Sequence, residues 1–204
     1  MTTVVSRRPE SPLLGVFFLS GVSALVYQVA WQRLLFGAFG VDIESITIVV
    51  STFMLGLGFG ALAGGQLADR LGSRTLELFA LCELGIGLFG VASPWLIPAV
   101  GARFLHSSLP VIAAVNFLLI LIPASLMGAT LPMLVAHLFR DNANVGVSIG
   151  RLYWSNTMGA ALGALAAGAL MFHSLTLDQS IYLAAAGNFI VASVVYFGRP
   201  KEEA

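Results

Sequence analysis

The chain has 204 residues, of which 58% are hydrophobic and 10% are charged, and its formal net charge is zero. An ordinary soluble domain carries about 25% charged residues, so a soluble fold could not cover this much apolar surface. The absence of a net positive charge also argues against a nucleic-acid partner. The composition therefore predicts a polytopic membrane protein whose surroundings are the lipid bilayer.

Six apolar segments approach or exceed the ~20 residues that a helix needs to cross the hydrocarbon core. They cover residues 13–39, 45–68, 76–100, 109–139, 145–172 and 177–197, with a break expected near Pro123 in the fourth. The connections are too short for a soluble domain. The sequence predicts an N-terminal tail over 1–12, a six-helix transmembrane domain over 13–198 and a C-terminal tail over 199–204.

Basic residues collect on one side of six crossings: Arg7, Arg8, Arg70, Arg74, Arg140, Arg151, Arg199 and Lys201. The opposite connections contain Asp42, Glu44, Asp178 and a single clear basic residue, Arg103. An excess of lysine and arginine marks the cytoplasmic face of a membrane protein. We therefore expect both tails to be cytoplasmic, in a multi-pass protein of the inner (plasma) membrane.

A short polar turn separates the second and third apolar segments. Its marker residues are Gly65, Asp69, Arg70, Gly72 and Arg74. We expect Asp69 and Arg70 to end one helix, Gly72 to turn the chain and Arg74 to start the next helix. The spacing resembles the G-x-x-x-D-R-x-G-R-R signature between helices 2 and 3 of major facilitator superfamily transporters, with Ser73 in place of the first arginine of the closing pair.

Small residues recur at every fourth position in two segments. The second segment contains Gly56, Gly60 and Gly64, and the fifth contains Gly159 and Gly163. Small-xxx-small faces allow helix backbones to approach closely in lipid. Two interpretations are open: packing inside one subunit, or a face that joins two subunits or slides during transport.

An ionisable residue inside a membrane span is a functional candidate by default. Glu83 lies nine residues past Arg74, which places it ~13 Å from the cytoplasmic side, and Asn156 lies five residues past Arg151, ~8 Å from the same side. A contact between Glu83 and Asn156 is therefore geometrically feasible. Glu83 either ties helices together by hydrogen bonds or serves as a proton-coupling or substrate-contacting carboxylate.

The outer half of the first segment carries a polar stripe of two i, i+4 pairs that cannot comfortably face lipid. The basic residue that follows it lies ~30 Å along the helix and is expected to snorkel to the outer boundary. Two asparagines near mid-span complete the candidate lining. The full set is Tyr27, Gln28, Trp31, Gln32, Arg33, Glu83, Asn116, Asn156 and Asn188.

The sequence contains no recognisable catalytic set. The three histidines, His106, His137 and His173, are isolated and lack metal-ligand spacing. There is no G-x-S-x-G nucleophile elbow and no cysteine–histidine pair with an orienting acid. We therefore predict a protein that is not an enzyme and has no metal or cofactor.

Three motifs together resemble the membrane-integrated spermidine synthase-like proteins. They are SGVSALVYQVAWQRLL over residues 20–35, LMGATLP over 126–132 and GRLYWSNTMGA over 150–160. In that family a facilitator-like helical module is commonly fused to a cytoplasmic aminopropyltransferase-like domain. The resemblance implies an all-α, half-size major facilitator-like bundle. Because the sequence stops at Ala204, we expect the membrane half alone, without polyamine synthesis.

Two functions remain open at this point. The first is a half-size transporter module that moves a small molecule as a homodimer, because facilitators use two six-helix bundles around a central site. In that case Asp69, Arg70 and Arg74 would form a cytoplasmic gate, as the superfamily resemblance implies. The alternative is a non-transporting anchor or accessory subunit of a larger membrane complex, or of a separate soluble aminopropyltransferase-like partner.

Overall fold

The computed structural model describes residues 11–39, 43–104, 106–139 and 145–198. Regular secondary structure in these ranges is entirely helical. The predicted C-terminal tail and nearly all of the N-terminal tail lie outside them. So do the charged residues Asp42 and Arg140, on which part of the orientation argument depends.

The long helices match the apolar segments predicted from the sequence. Their bounds are α1 Ser11–Phe39, α2 Ile43–Leu71, α3 Thr75–Phe104, α4 Leu109–Phe139, α5 Val145–Ala166 and α7 Leu177–Gly198. A 3-10 turn, Gly72–Arg74, joins α2 to α3. A π-helical segment, Ala167–Met171, and the three-residue helix α6, Phe172–Ser174, follow α5.

The break expected near Pro123 does not occur, because α4 continues through both Pro123 and Pro132. Membrane helices accommodate proline where side-chain hydroxyls and neighbouring helices satisfy the backbone groups. Close to these prolines, the hydroxyls of Ser125 and Thr130 each donate to a helix carbonyl at 2.7 Å. The expected break was therefore wrong.

Four stretches of the described residues are long and apolar enough to cross a membrane. They are Ser11–Ala38, Val49–Phe104, Pro110–Leu138 and Leu177–Gly198. The second stretch contains most of α2 and all of α3. Helix α5 lies outside these four stretches.

Helices α2 and α4 pack along the small-residue face of α2. A Cβ atom at Gly60 would overlap the backbone of Ser125, and one at Gly64 would overlap Ala129. Residue numbers rise together along the contact, so the two helices run in the same direction. Helix α3 runs the opposite way, because Cys82 contacts Met133 early in α3 and late in α4.

Helices α1 and α5 form a second close pair. A Cβ atom at Gly159 would overlap the backbone of Phe18, and one at Gly163 would overlap that of Val22. Both small-residue faces are thus used inside the chain.

Helix α3 packs against α1 and α7. The rings of Phe17 and Phe79 meet edge to face with centroids 6.3 Å apart, and further along both helices Trp31 is hydrogen-bonded to Ser93. Helices α1 and α3 therefore run in the same direction. Helix α7 is antiparallel to them, because Ile181 belongs to the apolar cluster around Trp31. Along the described chain, the long helices alternate in direction.

Candidate functional site

A cavity of about 100 Å³ lies between α1, α2, α4 and α5. Polar and apolar side chains both line it. The lining residues are Ser20, Gly21, Ala24, Leu25, Gln28, Phe53, Leu57, Met127, Thr130, Asn156 and Ala160. The volume has room for about three water molecules at ~30 Å³ each. It is well below the ~300–1,000 Å³ of a typical small-molecule pocket.

The polar wall of the cavity follows from helix periodicity and one glycine. Ser20, Ala24 and Gln28 are spaced by four residues, so they lie on one face of α1. A Cβ atom at Gly21 would overlap the backbone carbonyl of Asn156, so the glycine lets α5 bring Asn156 to the same wall. Hydroxyl, carboxamide and apolar groups therefore converge on one small space.

Behind this wall lies a hydrogen-bonded group centred on Glu83, whose side chain is fully buried. The hydroxyl of Ser20 donates to Oε1 of Glu83 at 2.6 Å, and Nδ2 of Asn188 donates to Oε2 at 2.6 Å. Ser20 lies nine residues into α1 and Glu83 eight residues into α3, which gives both a depth of ~12–14 Å. The group joins α1, α3 and α7.

The contact considered between Glu83 and Asn156 does not form. Asn188 takes that place, because α7 packs directly behind α3, whereas Asn156 lies on α5 at the cavity. Both asparagines of the candidate set near Glu83 are thus at suitable depth, but only Asn188 faces it.

The residues of the polar stripe of α1 lie in two places: Tyr27 and Trp31 are in the core, and Gln28 is at the cavity. Tyr27 and Trp31 are fully buried and stacked, with ring centroids 4.6 Å apart. Nε1 of Trp31 donates to Ser93 at 2.8 Å, and Tyr27 lies against Gly90 on the same face of α3. Of the stripe, Gln28 lines the cavity.

Three candidates lie apart from both groups. Gln32 is half-buried, Arg33 is exposed, and Asn116 is buried with its carbonyl oxygen unpartnered among the described residues. None of these three is among the residues that line the cavity.

The polar turn lies at the end of α2 with its charged residues in the open. Asp69, Arg70 and Arg74 are all exposed. Gly72 has φ of 51°, in the left-handed region that glycine adopts without strain. Arg74 ends the 3-10 turn, and α3 begins at Thr75 rather than at Arg74. Gly65 is half-buried near Pro132 of α4.

Two polar residues of the site, Ser20 and Thr130, were not among the residues predicted from the sequence. Hydroxyl residues are common in membrane helices and give no signal by type alone. The spacing of eight residues between Ser20 and Gln28 was the available signal, since it places both on one face of α1. Thr130 had no comparable marker. Among the described residues, no group of three His, Cys, Asp or Glu side chains could hold a metal ion.

Comparison with protein families assigns this helical bundle to a family. The model described as Major Facilitator Superfamily matches residues 13–204. The chain belongs to the Major Facilitator Superfamily. This match includes the polar turn, the cavity and the Glu83 group of the facilitator module.

Two relatives show sequence similarity to the facilitator module. It is 28% identical over 177 residues to a protein named triacylglyceride transporter from Mycolicibacterium smegmatis, covering 83% of this chain and 30% of the relative. It is 28% identical over 173 residues to a protein named polyamine aminopropyltransferase 2 from Streptomyces coelicolor, covering 79% of this chain and 30% of the relative. No solved structure matches. The resemblance to the facilitator module of spermidine synthase-like proteins is confirmed.

The module spans less than a third of the length of these relatives. The activity, substrates and partners of the whole relatives therefore reach this chain only as proposals.

Proposed function

We propose that the chain is a half-size transporter that moves a small molecule across the inner membrane as a homodimer. In this proposal the long helices make six crossings, both termini are cytoplasmic, and each module supplies half of the pathway. The polar cavity between α1, α2, α4 and α5 carries the proposal. Facilitators place their central site between two such bundles, which rock around it.

The size of the cavity supports a second module. At about 100 Å³ it is too small by itself for a typical organic ligand. A second copy that faces the same helices would contribute an equivalent wall and enlarge the space. Ser20, Gln28, Thr130 and Asn156 would then contact the cargo from one side.

The outer surface of α5 supports the same arrangement. Tyr153 and Trp154 are 61% and 67% exposed, and Thr157 is exposed beside the cavity residue Asn156. Helix α5 is also outside the four stretches that are apolar enough to span lipid. A helix with exposed polar and aromatic side chains packs more favourably against a second module than against lipid acyl chains.

A charged thiol reagent tests whether the cavity is a water-filled pathway. We expect Gln28→Cys to react with a membrane-impermeant methanethiosulfonate in vesicles, because Gln28 lines the cavity. Leu88→Cys is the matched control, since Leu88 is 57% exposed on α3, away from the cavity, and would face lipid. Equal reactivity of the two variants, or no reaction at Gln28→Cys, would contradict transport through this space.

A second function has one specific observation in its favour. The relative named polyamine aminopropyltransferase 2 is more than three times as long as the part that aligns, and that part covers 79% of this chain. We therefore keep a membrane module for a separate aminopropyltransferase-like partner as the alternative. In neither proposal does the chain itself catalyse a reaction. The alternative predicts a native complex that contains a foreign subunit.

A further inference from the structure

Glu83 has two uncharged hydrogen-bond partners, Ser20 on α1 and Asn188 on α7. Among the described residues, Tyr27 on α1 and Cys82 on α3 are titratable groups that interact with it electrostatically. Neither supplies a positive charge. A buried carboxylate without a cationic partner is costly, so a positive ion has to accompany the charge or a proton has to remove it.

The hydrogen bonds favour a proton over a metal ion. Both carboxyl oxygens already have a donor at 2.6 Å. A hard metal ion would need about six oxygen ligands around the same group. A proton needs only one oxygen and one acceptor, and both are present.

The amide of Asn188 can serve either form of Glu83. In the structure its Nδ2 donates to Oε2, which suits an ionised carboxylate. A proton on Oε1 leaves Oε2 as a carbonyl oxygen, which can keep accepting from Nδ2 of Asn188. The same hydrogen bond therefore suits the neutral carboxyl group as well.

Ser20 connects this group to the cavity. Among the described residues that line the cavity, Ser20 is the one that is hydrogen-bonded to Glu83. In the part of the chain that the structure describes, no cavity-lining residue comes from α3 or α7. The hydrogen bond from Ser20 to Glu83 therefore connects the carboxyl group to the cavity wall.

We propose that Glu83 is a proton-binding site linked through Ser20 to the occupancy of the cavity. The proton passes from cavity water to the Ser20 oxygen while the Ser20 hydroxyl proton moves to Oε1, so the hydroxyl is restored. Loss of the proton follows the same route in reverse. The linkage rests on the proposed transport function, since it makes proton binding depend on what fills the pathway.

Infrared difference spectroscopy on the purified protein in lipid tests the proton site without any transported molecule. Titration over about pH 5 to 8, the physiological range, should reveal a carboxyl carbonyl band that is absent from Glu83→Gln. Ser20→Ala should move the midpoint of this band by at least threefold in proton concentration, ~0.5 pH unit. Ser23→Ala is the matched control, because Ser23 lies against Gly187 one turn away. No band lost in Glu83→Gln, or equal midpoints in the two serine variants, would overturn the proposal.

Filling the cavity tests the linkage. Gln28→Cys modified with a neutral, bulky maleimide should change the Glu83 midpoint by at least threefold, whereas Leu88→Cys with the same adduct should leave it unchanged. Identical midpoints would overturn the link to the cavity. A proton site that behaves as expected in a protein that transports nothing would refute the transport function alone.

Discussion

The contact between α2 and α4 gives a sharp prediction about packing. A Cβ atom at Gly60 would overlap the backbone carbonyl of Ser125, which cannot move without shifting α4, whereas one at Gly58 would meet nothing within 4 Å. Gly60→Ala and Gly58→Ala gain the same intrinsic helix propensity of up to ~1 kcal/mol, so that contribution cancels when they are compared. The difference is the cost of overpacking, about 1–3 kcal/mol in disfavour of Gly60→Ala.

Equilibrium unfolding in mixed detergent micelles, followed by circular dichroism, measures this difference. A double variant adds a further check. Gly56→Ala would overlap the Cβ atom of Ala124, so Ala124→Gly should restore part of the lost stability. Ser125→Gly should not rescue Gly60→Ala, because the overlap there is with backbone. Equal stability of the alanine variants at positions 58 and 60, or rescue by Ser125→Gly, would refute the assigned contact.

Two further substitutions test buried hydrogen bonds with the same unfolding assay. Ser20→Ala leaves Oε1 of Glu83 without its donor and should lower the free energy of unfolding by about 1–3 kcal/mol. Ser23→Ala should lower it by less. The reverse order would contradict the hydrogen bond between Ser20 and Glu83. Ser93→Ala removes the acceptor of the buried Trp31 N–H and should also cost about 1–3 kcal/mol; an unchanged unfolding midpoint would contradict that bond.

The helices were predictable because their apolar length is set by the bilayer. The close contact of Gly60 and Gly64 was predictable too, since small residues at every fourth position form one face whatever lies opposite. Their partner was not. Helix α2 pairs with α4 rather than with its chain neighbour α3, and the spacing of glycines carries no information about that choice.

The depth of Glu83 was predictable, but its partner was not. Rise per residue gives the height of a side chain, whereas its angular position depends on how each helix is rotated by packing. Asn156 and Asn188 have suitable heights, and only Asn188 faces Glu83. Adjacent residues on a helix point about 100° apart, which is why Tyr27 enters the core while Gln28 lines the cavity.

The remaining differences concern α4 and the segment that follows α5. The sequence suggested a break at Pro123, yet α4 continues through both Pro123 and Pro132. The π-helical segment Ala167–Met171 had no signal in the sequence.

We propose that the cavity is half of a pathway that a second copy of the chain completes. Native mass spectrometry of the complex, released from mild detergent, measures this directly. We expect a complex of twice the 21.5 kDa mass of one chain. A single chain, or a complex with a foreign subunit in place of the second copy, would contradict it.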